Sequence, residues 1–372
     1  MPPTGETHDT EGVARRFRMM EEVIDHAEPV EIEYSGLCLL AAEEPGNVDD
    51  ALAEGALATL GFERSPLEHA VYKRGSGDTL LLVGVYVDDL IITGANAGEI
   101  AEFKAEMQRT FSMSDLGPLS YYLGIEVEQK GGAITLCQSS YARKILEQTG
   151  MTGCKPCSTP MENRLRLSKS DGSLAVDATY YRSVVGSLRY LANTRADIAY
   201  AVGIVSRYTE APTAQHMAAV RHLLRYISGS IHHGCKYQRG GGDEPDLVGY
   251  SDSDHGGDLD DRKSTSGSVF YLGRNLITWA SQKQKIIAMS SCEAEYVAAA
   301  AAAMQAVWLS RLIADLQGTE AKSVKLLKIG GRVVLRSRRA GSSALVVMIR
   351  SSWDGTARAG VAHGSGGAVA QE

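Results

Sequence analysis

The clearest hydrophobic pattern in the chain is a pair of apolar runs that flank a short polar break. Thr79 to Val85 and Leu90 to Thr93 are rich in aliphatic and β-branched residues, and Asp88 and Asp89 lie between them. This pattern predicts a buried β-hairpin whose turn carries two adjacent carboxylates. Two like charges beside an apolar hairpin repel each other, and a divalent cation such as Mg²⁺ relieves that repulsion. Aspartates are also ordinary turn residues, so the pair alone leaves both interpretations open.

Downstream of the predicted hairpin, the apolar spacing switches between helical and strand-like periods. In residues 97–111 apolar side chains recur every three or four positions, which predicts an amphipathic helix packed on the sheet. Polar residues with prolines fill 150–177, and we expect a linker or mobile loop there. The remaining predictions are strands at 119–128 and 133–137, joined by a glycine-containing turn, and helices at 140–149, 180–208 and 213–228.

The period changes again in the C-terminal third. Three strand-like runs, DLVGYSD, SVFYLG and LITWAS, precede an alanine-rich helix predicted from Ser291 to Leu316. Ser290 and Glu293 form a capping-box signature at the start of that helix. Acidic residues also crowd the segment after the first run, and we expect a solvated loop rather than metal ligands at Asp254, Asp258, Asp260 and Asp261.

Composition limits the class of protein. The 372 residues are 44% hydrophobic and 22% charged, as in ordinary globular proteins. The sequence predicts no membrane association, because no apolar run approaches ~20 residues, and it predicts an intracellular protein because the N-terminus lacks a signal peptide. Six scattered cysteines are too few for a disulfide scaffold, and the single C-x-x-C at Cys154 and Cys157 lacks a second pair to complete a zinc site.

The net charge of −7 is unevenly distributed. Residues 1–60 hold 14 acidic and 3 basic side chains, whereas residues 317–372 hold 3 acidic and 9 basic ones. The global charge therefore says little about nucleic-acid binding, which depends on local Lys and Arg placement.

The hairpin sequence YVDDLIITG resembles the palm hairpin of reverse transcriptases in its copia-type LTR retrotransposon version. The resemblance continues through DLGPLSYYLGIEV, YYRSVVGSLRYL and YSDSDHGGDLDDRKSTSG, and it covers roughly residues 57–318. It implies an α+β fold: a reverse transcriptase palm remnant with a helical connection, followed by a truncated α/β RNase H-like domain. The implied domains are an acidic, poorly ordered lead segment at 1–56, a partial reverse transcriptase at 57–238, a partial RNase H-like domain at 245–327 and a disordered tail at 328–372.

The resemblance also implies functional residues. Asp88 and Asp89 correspond to polymerase carboxylates that bind Mg²⁺, and Asp252 and Glu295 correspond to RNase H carboxylates of a two-Mg²⁺ site. Tyr86, Tyr122, Leu123 and Gly124 fall where related polymerases hold the primer, although a structural hairpin glycine explains Gly124 equally well. The implied partners are a primer–template or an RNA–DNA hybrid, and no oligomeric state is predicted.

Both implied sites lack members. The strand that carries the first palm aspartate is missing near residues 54–57, which suggests an internal deletion or splice; a transcript containing the missing segment would test this. No Asp-Asn motif follows the strand at 323–327, and a frameshift near residue 328 predicts that motif in another reading frame of the genomic DNA. We therefore expect an inactive reverse transcriptase and RNase H fragment. The alternative is a non-catalytic nucleic-acid-binding relic or an unselected gene-model product.

Overall fold

A computed structural model describes residues 55–86, 89–110, 113–238 and 246–328, together with the backbone of two strands at 332–335 and 347–350. Residues 1–54 of the predicted lead segment, Asp88 and most of the tail lie outside these residues. The described chain is a mixed α and β structure with three four-stranded sheets and one two-stranded hairpin.

The predicted hairpin forms β3 (Leu81–Tyr86) and β4 (Asp89–Gly94), the last two strands of the first sheet. Its order is β1-β2-β3-β4, all antiparallel, and the segment 55–59 before it is helical. Helix α1 packs on this sheet, with Phe103 and Met107 buried against Leu81 and Val83, as its spacing predicts. The strands are β1 (Glu63–Arg64), β2 (Val71–Arg74), β3 (Leu81–Tyr86) and β4 (Asp89–Gly94), and α1 is Ala97–Thr110.

The second sheet, β5-β6-β7-β8, is also antiparallel. Its strands are β5 (Tyr121–Tyr122), β6 (Ile125–Lys130), β7 (Ala133–Cys137) and β8 (Gly234–Gln238). The prediction of one continuous strand at 119–128 is wrong, because the span forms two antiparallel strands, β5 and β6. Leu123 and Gly124 have φ values of 47° and 79°, so the chain turns there and β5 folds back on β6.

A helical unit lies between β7 and β8. Its core is apolar and includes Leu167, Tyr181, Leu188, Val205 and Leu223. The helices are α2 (Ser139–Gln148), α3 (Ala178–Leu191), α4 (Ala199–Val205) and α5 (Ala214–Gly229).

Two predictions in this helical unit need correction. The helix predicted at 180–208 is interrupted after α3 because Arg195, only 1% exposed, turns inward to bind Asp197 and the Ser230 carbonyl. The linker predicted at 150–177 packs on the core, since Leu167 is buried and Ala175 forms a β-bridge with Thr213.

The third sheet has the order β11-β10-β9-β12, with β12 parallel to β9. Its three antiparallel strands and the helix that follows them agree with the predicted pattern. The Ser290 hydroxyl accepts the Glu293 amide as predicted, but the Glu293 carboxylate accepts the Met289 amide instead of the Ser290 amide. The elements are β9 (Leu247–Ser253), β10 (Thr265–Leu272), β11 (Asn275–Lys283), α6 (Ser291–Gln317) and β12 (Lys325–Lys328).

By length and composition alone, helix α6 could cross a membrane. In the structure 44% of that stretch is buried, and its alanine face packs on Phe270 and Leu326 of the third sheet. The packing is that of a core helix. After β12, the backbone of β13 (Arg332–Leu335) and β14 (Val347–Arg350) forms an antiparallel pair within the segment predicted as a disordered tail.

Candidate nucleic-acid interface and carboxylate pair

The β3–β4 hairpin presents Asp89 at its tip. Tyr86 and Asp89 are the last paired residues of the two strands. Asp89 is exposed, and Asp88 lies outside the described residues. The apolar strands therefore hold at least one carboxylate at the surface, next to the second sheet.

Five tyrosines surround this hairpin tip, and we call them the tyrosine cluster: Tyr86, Tyr121, Tyr122, Tyr141 and Tyr190. The Tyr86 and Tyr122 rings meet edge-to-face with centroids 6.5 Å apart, and the Tyr141 and Tyr190 rings do so at 5.1 Å. Tyr86 and Tyr121 are 41% and 62% exposed. The cluster thus contains rings that pack on one another and two rings, those of Tyr86 and Tyr121, that are accessible to solvent.

Electrostatics link the cluster to the carboxylate. Burial raises the pKa of Tyr122, and the nearby charge of Asp89 raises it further, followed by Tyr86. The pKa of Tyr190 is raised by burial and then by its neighbours Tyr141, Tyr121 and Tyr86. Both of these phenols therefore remain neutral at physiological pH and can donate hydrogen bonds.

Leu123 and Gly124 position the second sheet against α3. The Tyr190 hydroxyl donates a hydrogen bond to the Leu123 carbonyl. A Cβ atom at position 124 would lie 2.9 Å from that hydroxyl, and the φ of +79° also disfavours any side chain. The structure thus gives Gly124 a packing role beside the cluster, which sequence reasoning left open against a role in binding.

Sequence reasoning identified Tyr86 and Tyr122 but not the other three tyrosines. Tyr141 and Tyr190 lie on helices far along the chain, and only tertiary folding brings them to the hairpin. Tyr121 is adjacent to Tyr122, and its 62% exposure is the feature that singles it out.

Asp252 and Glu295 form the second candidate site. Asp252 is exposed near the end of β9, and Glu295 is 18% exposed in the second turn of α6. The pKa of Glu295 is raised overall, mainly because the side chain is buried. The charge of Lys328 lowers this pKa, and the charge of Asp252 raises it. The structure therefore brings these two predicted carboxylates within electrostatic reach of each other.

Lys328 is the residue of this site that sequence reasoning missed. Its Nζ lies 3.4 Å from Glu295 Oε1, while Glu295 Oε2 is buried and has no hydrogen-bond partner. Lys328 ends β12, opposite Ser251 on the parallel strand β9. Pairing of two strands that are distant in sequence creates this contact, so no local motif indicates it.

A cleft of about 370 Å³ adjoins Asp252, between the third sheet and the start of α4. Tyr200 and Trp279 contribute aromatic walls, and Tyr200 is 51% exposed. The pKa of Tyr200 is raised by burial and by Asp254. The cleft therefore has an acidic end at Asp252 and Asp254 and an apolar body.

The acidic loop after β9 is only partly as predicted. Asp258 is buried rather than solvated: its Oδ2 lies 2.6 Å from Lys283 Nζ and 3.2 Å from Arg207 Nη1. Its Oδ1 accepts the backbone amides of Asp260 and Asp261. Asp258 is thus a structural carboxylate that fixes the loop and engages Arg207 of the helical unit.

Among the described residues, no group of three or more His, Cys, Asp or Glu side chains is arranged to hold a metal ion. The Cys157 thiol donates to the carbonyl oxygens of Thr159 and His222, which agrees with a packing role. At the second candidate site, two carboxylates accompanied by an ammonium group do not fit a two-Mg²⁺ centre, which needs carboxylates free to bridge both ions. At the hairpin, Asp89 is an accessible oxygen donor of the kind Mg²⁺ prefers.

Comparison with known proteins found a matching family and several relatives. The sequence model of a family described as reverse transcriptase (RNA-dependent DNA polymerase) matches residues 46–163. The retrovirus-related Pol polyprotein from transposon TNT 1-94 of Nicotiana tabacum is 39% identical over 254 residues, which is 66% of this chain and 19% of that protein. A putative transposon Ty5-1 protein of Saccharomyces cerevisiae is 34% identical over 67% of this chain and 81% of its own length.

This chain belongs to the copia-type retrotransposon Pol family. An uncharacterized mitochondrial protein of Arabidopsis thaliana is also 38% identical over 61% of this Pol region and 93% of its own length. The Pol region spans about a fifth of the length of the full polyprotein from tobacco. No solved structure matches it. The predicted family and its reverse transcriptase part are confirmed, and reverse transcriptases of this kind typically use Mg²⁺.

Proposed function

We propose that this Pol region binds a primer–template or RNA–DNA hybrid through the tyrosine cluster without catalysing DNA synthesis. The observation that supports the proposal is the pair of exposed rings, Tyr86 and Tyr121, beside the Asp89 hairpin tip. Aromatic rings stack on bases whatever their sequence, which suits a protein that must accept any template. The tobacco relative is named as a Pol polyprotein, and binding of nucleic acid is the part of that chemistry these residues can supply.

The absence of synthesis follows from the carboxylates. Nucleotidyl transfer with two metal ions needs carboxylates on both sides of the metals. In the described part of the first sheet, the hairpin supplies Asp89 from one side, and strands β1 and β2 contain no aspartate. Within the described strands of this sheet, no second strand therefore supplies an aspartate opposite Asp89.

We further propose that residues 245–327 are a partial RNase H-like unit. The convergence of Asp252 and Glu295, from a strand and the following helix, supports this assignment. Because Lys328 neutralises Glu295 and no third carboxylate joins the pair among the described residues, we propose that the unit contributes a surface for the hybrid rather than cleavage.

Binding is tested by fluorescence anisotropy with a labelled primer–template and a labelled RNA–DNA hybrid, at two or more salt concentrations. The double variant Tyr86→Ala/Tyr121→Ala should bind at least about 30-fold more weakly, because each of the two rings contributes ~1–3 kcal/mol by stacking on a base. Tyr180→Ala is the matched control, since Tyr180 is 43% exposed but lies on α3 outside the cluster. Equal affinity of the double variant and the natural chain would refute the proposed interface.

Catalysis is tested with the same substrates in Mg²⁺ or Mn²⁺. We expect no primer extension and no cleavage of the RNA strand. Cleavage that disappears in Asp252→Asn would show that a carboxylate outside the described residues completes the RNase H-like site, and the non-catalytic proposal would then be wrong. Primer extension that disappears in Asp89→Asn would contradict it at the hairpin.

A further inference from the structure

The third sheet carries two lysines on one short strand, and they have different surroundings. Lys325 Nζ lies 2.8 Å from Asp246 Oδ2, and the two side chains are 64% and 71% exposed. Lys328, at the other end of β12, is 33% exposed and contacts Glu295, which is 18% exposed. The first pair is an ordinary surface ion pair, whereas the second is partly withdrawn from water.

The position of Lys328 is set by strand pairing. Its backbone is opposite Ser251 in the parallel β9–β12 ladder, one residue before Asp252. The ladder therefore brings an ammonium group next to Glu295. Glu295 Oε2 and the Ser251 hydroxyl are both buried without a hydrogen-bond partner, and Ser251 is the residue paired with Lys328 in the ladder.

A divalent ion and Lys328 compete for this place. Mg²⁺ must bring a carboxylate oxygen to ~2.1 Å and keep near-octahedral geometry with its waters. With the ammonium group 3.4 Å from Oε1, such an ion would lie within a few ångströms of a like charge in a partly desolvated site. Binding of the ion therefore requires Lys328 to leave.

We propose that Lys328 is the built-in counter-ion of Glu295 and keeps divalent cations off the Glu295–Asp252 pair. The inference deepens the proposed function of the RNase H-like unit and rests on it only for the identity of that unit. It assigns the inactivity of the site to a particular side chain in addition to the missing carboxylate. The cation-binding donors themselves are retained.

The experiment measures Mn²⁺ binding to the full chain by the loss of the free-ion EPR signal, without nucleic acid. Lys328→Met removes the charge and keeps most of the side-chain length. Lys328→Met should bind Mn²⁺ at a site that includes Glu295, with an affinity at least about tenfold higher than that of any Glu295-containing site in the natural chain. Adding Glu295→Gln to Lys328→Met should abolish the gain. Lys325→Met, on the same strand, should bind Mn²⁺ as the natural chain does.

Glu295→Gln in the natural chain provides a test that does not depend on the folding of any Lys328 variant. We expect its Mn²⁺ binding to equal that of the natural chain, because ions held elsewhere, including at the hairpin, are common to both proteins. A loss of bound Mn²⁺ in this variant would overturn the proposal, as would a folded Lys328→Met protein with no gain. Hybrid binding and its loss in Tyr86→Ala/Tyr121→Ala are measured without any Lys328 variant, so failure of this inference and failure of the proposed function give different results.

Discussion

Asp258 illustrates how a single side chain departs from its sequence context. It lies in a run of aspartates and glycines that predicts a solvated loop, yet it is 4% exposed. Burial alone would raise the pKa of Asp258, but hydrogen bonds from Lys283 and from the amides of Asp261 and Asp260 outweigh burial and lower the pKa to about 2. The carboxylate is therefore ionised and paired in the folded state, which ties folding to its charge.

Asp258→Asn should lower the free energy of unfolding by about 2 kcal/mol at pH 7, because Lys283 and Arg207 lose a buried ionic partner. The pKa is lower in the folded state than the ordinary 3.8, so the natural chain's advantage is complete above about pH 5 and disappears as the pH falls towards 2. Urea unfolding at several pH values measures the difference.

Asp261→Asn is the matched control for Asp258→Asn. Asp261 also contacts Lys283, at 2.8 Å, but its side chain is 39% exposed, so we expect a smaller loss of stability. A difference between the natural chain and Asp258→Asn that stays constant from pH 7 to pH 3 would contradict the assigned ionisation.

At the scale of elements, local pattern predicted much of the fold. The spans of the hairpin strands, of α1 and of β9 to β11 followed from apolar periodicity, because each element packs one apolar face on its own unit. The turn at Leu123 and Gly124 was not predicted, since a two-residue hairpin turn of this kind needs positive φ at both positions and leucine rarely adopts it. Motif resemblance likewise indicated Asp252 and Glu295, whereas Lys328 enters their site only through the β9–β12 pairing.

Strand β9 depends on a glycine at its centre. A Cβ atom at position 249 would lie 2.4 Å from the Phe270 ring and 2.9 Å from the Leu326 side chain, and both neighbours are fully buried. Gly249→Ala should therefore destabilise the protein by about 1–3 kcal/mol, the usual cost of overpacking. Thermal or urea unfolding measures the loss. Gly267→Ala on the neighbouring strand β10 is the control. A Cβ atom at position 267 would have no neighbour within 4 Å among the described residues. Equal losses of stability in the two variants would contradict the packing argument.

At the scale of the whole molecule, the first sheet and the C-terminal helix are joined directly. Lys73 on β2 donates to the Asp315 side chain at 2.6 Å and to its backbone carbonyl at 2.9 Å near the end of α6. The Trp308 indole N–H, also on α6, donates to the Leu67 carbonyl. The first sheet, which belongs to the reverse transcriptase region, thus makes contacts with the unit that follows it, and the sequence offered no means of predicting them because more than 240 residues separate the partners.

This junction predicts energetic coupling across the chain. Lys73 and Asp315 are 22% and 16% exposed, so their ion pair is less screened than a surface pair. A double-mutant cycle with Lys73→Met and Asp315→Asn should give a coupling free energy of about 1 kcal/mol. The same cycle on Lys325 and Asp246, an exposed pair at 2.8 Å, should show no measurable coupling. Equal coupling in the two cycles would contradict the predicted junction, whereas coupling in the first cycle alone would show that α6 contributes to the stability of the first sheet.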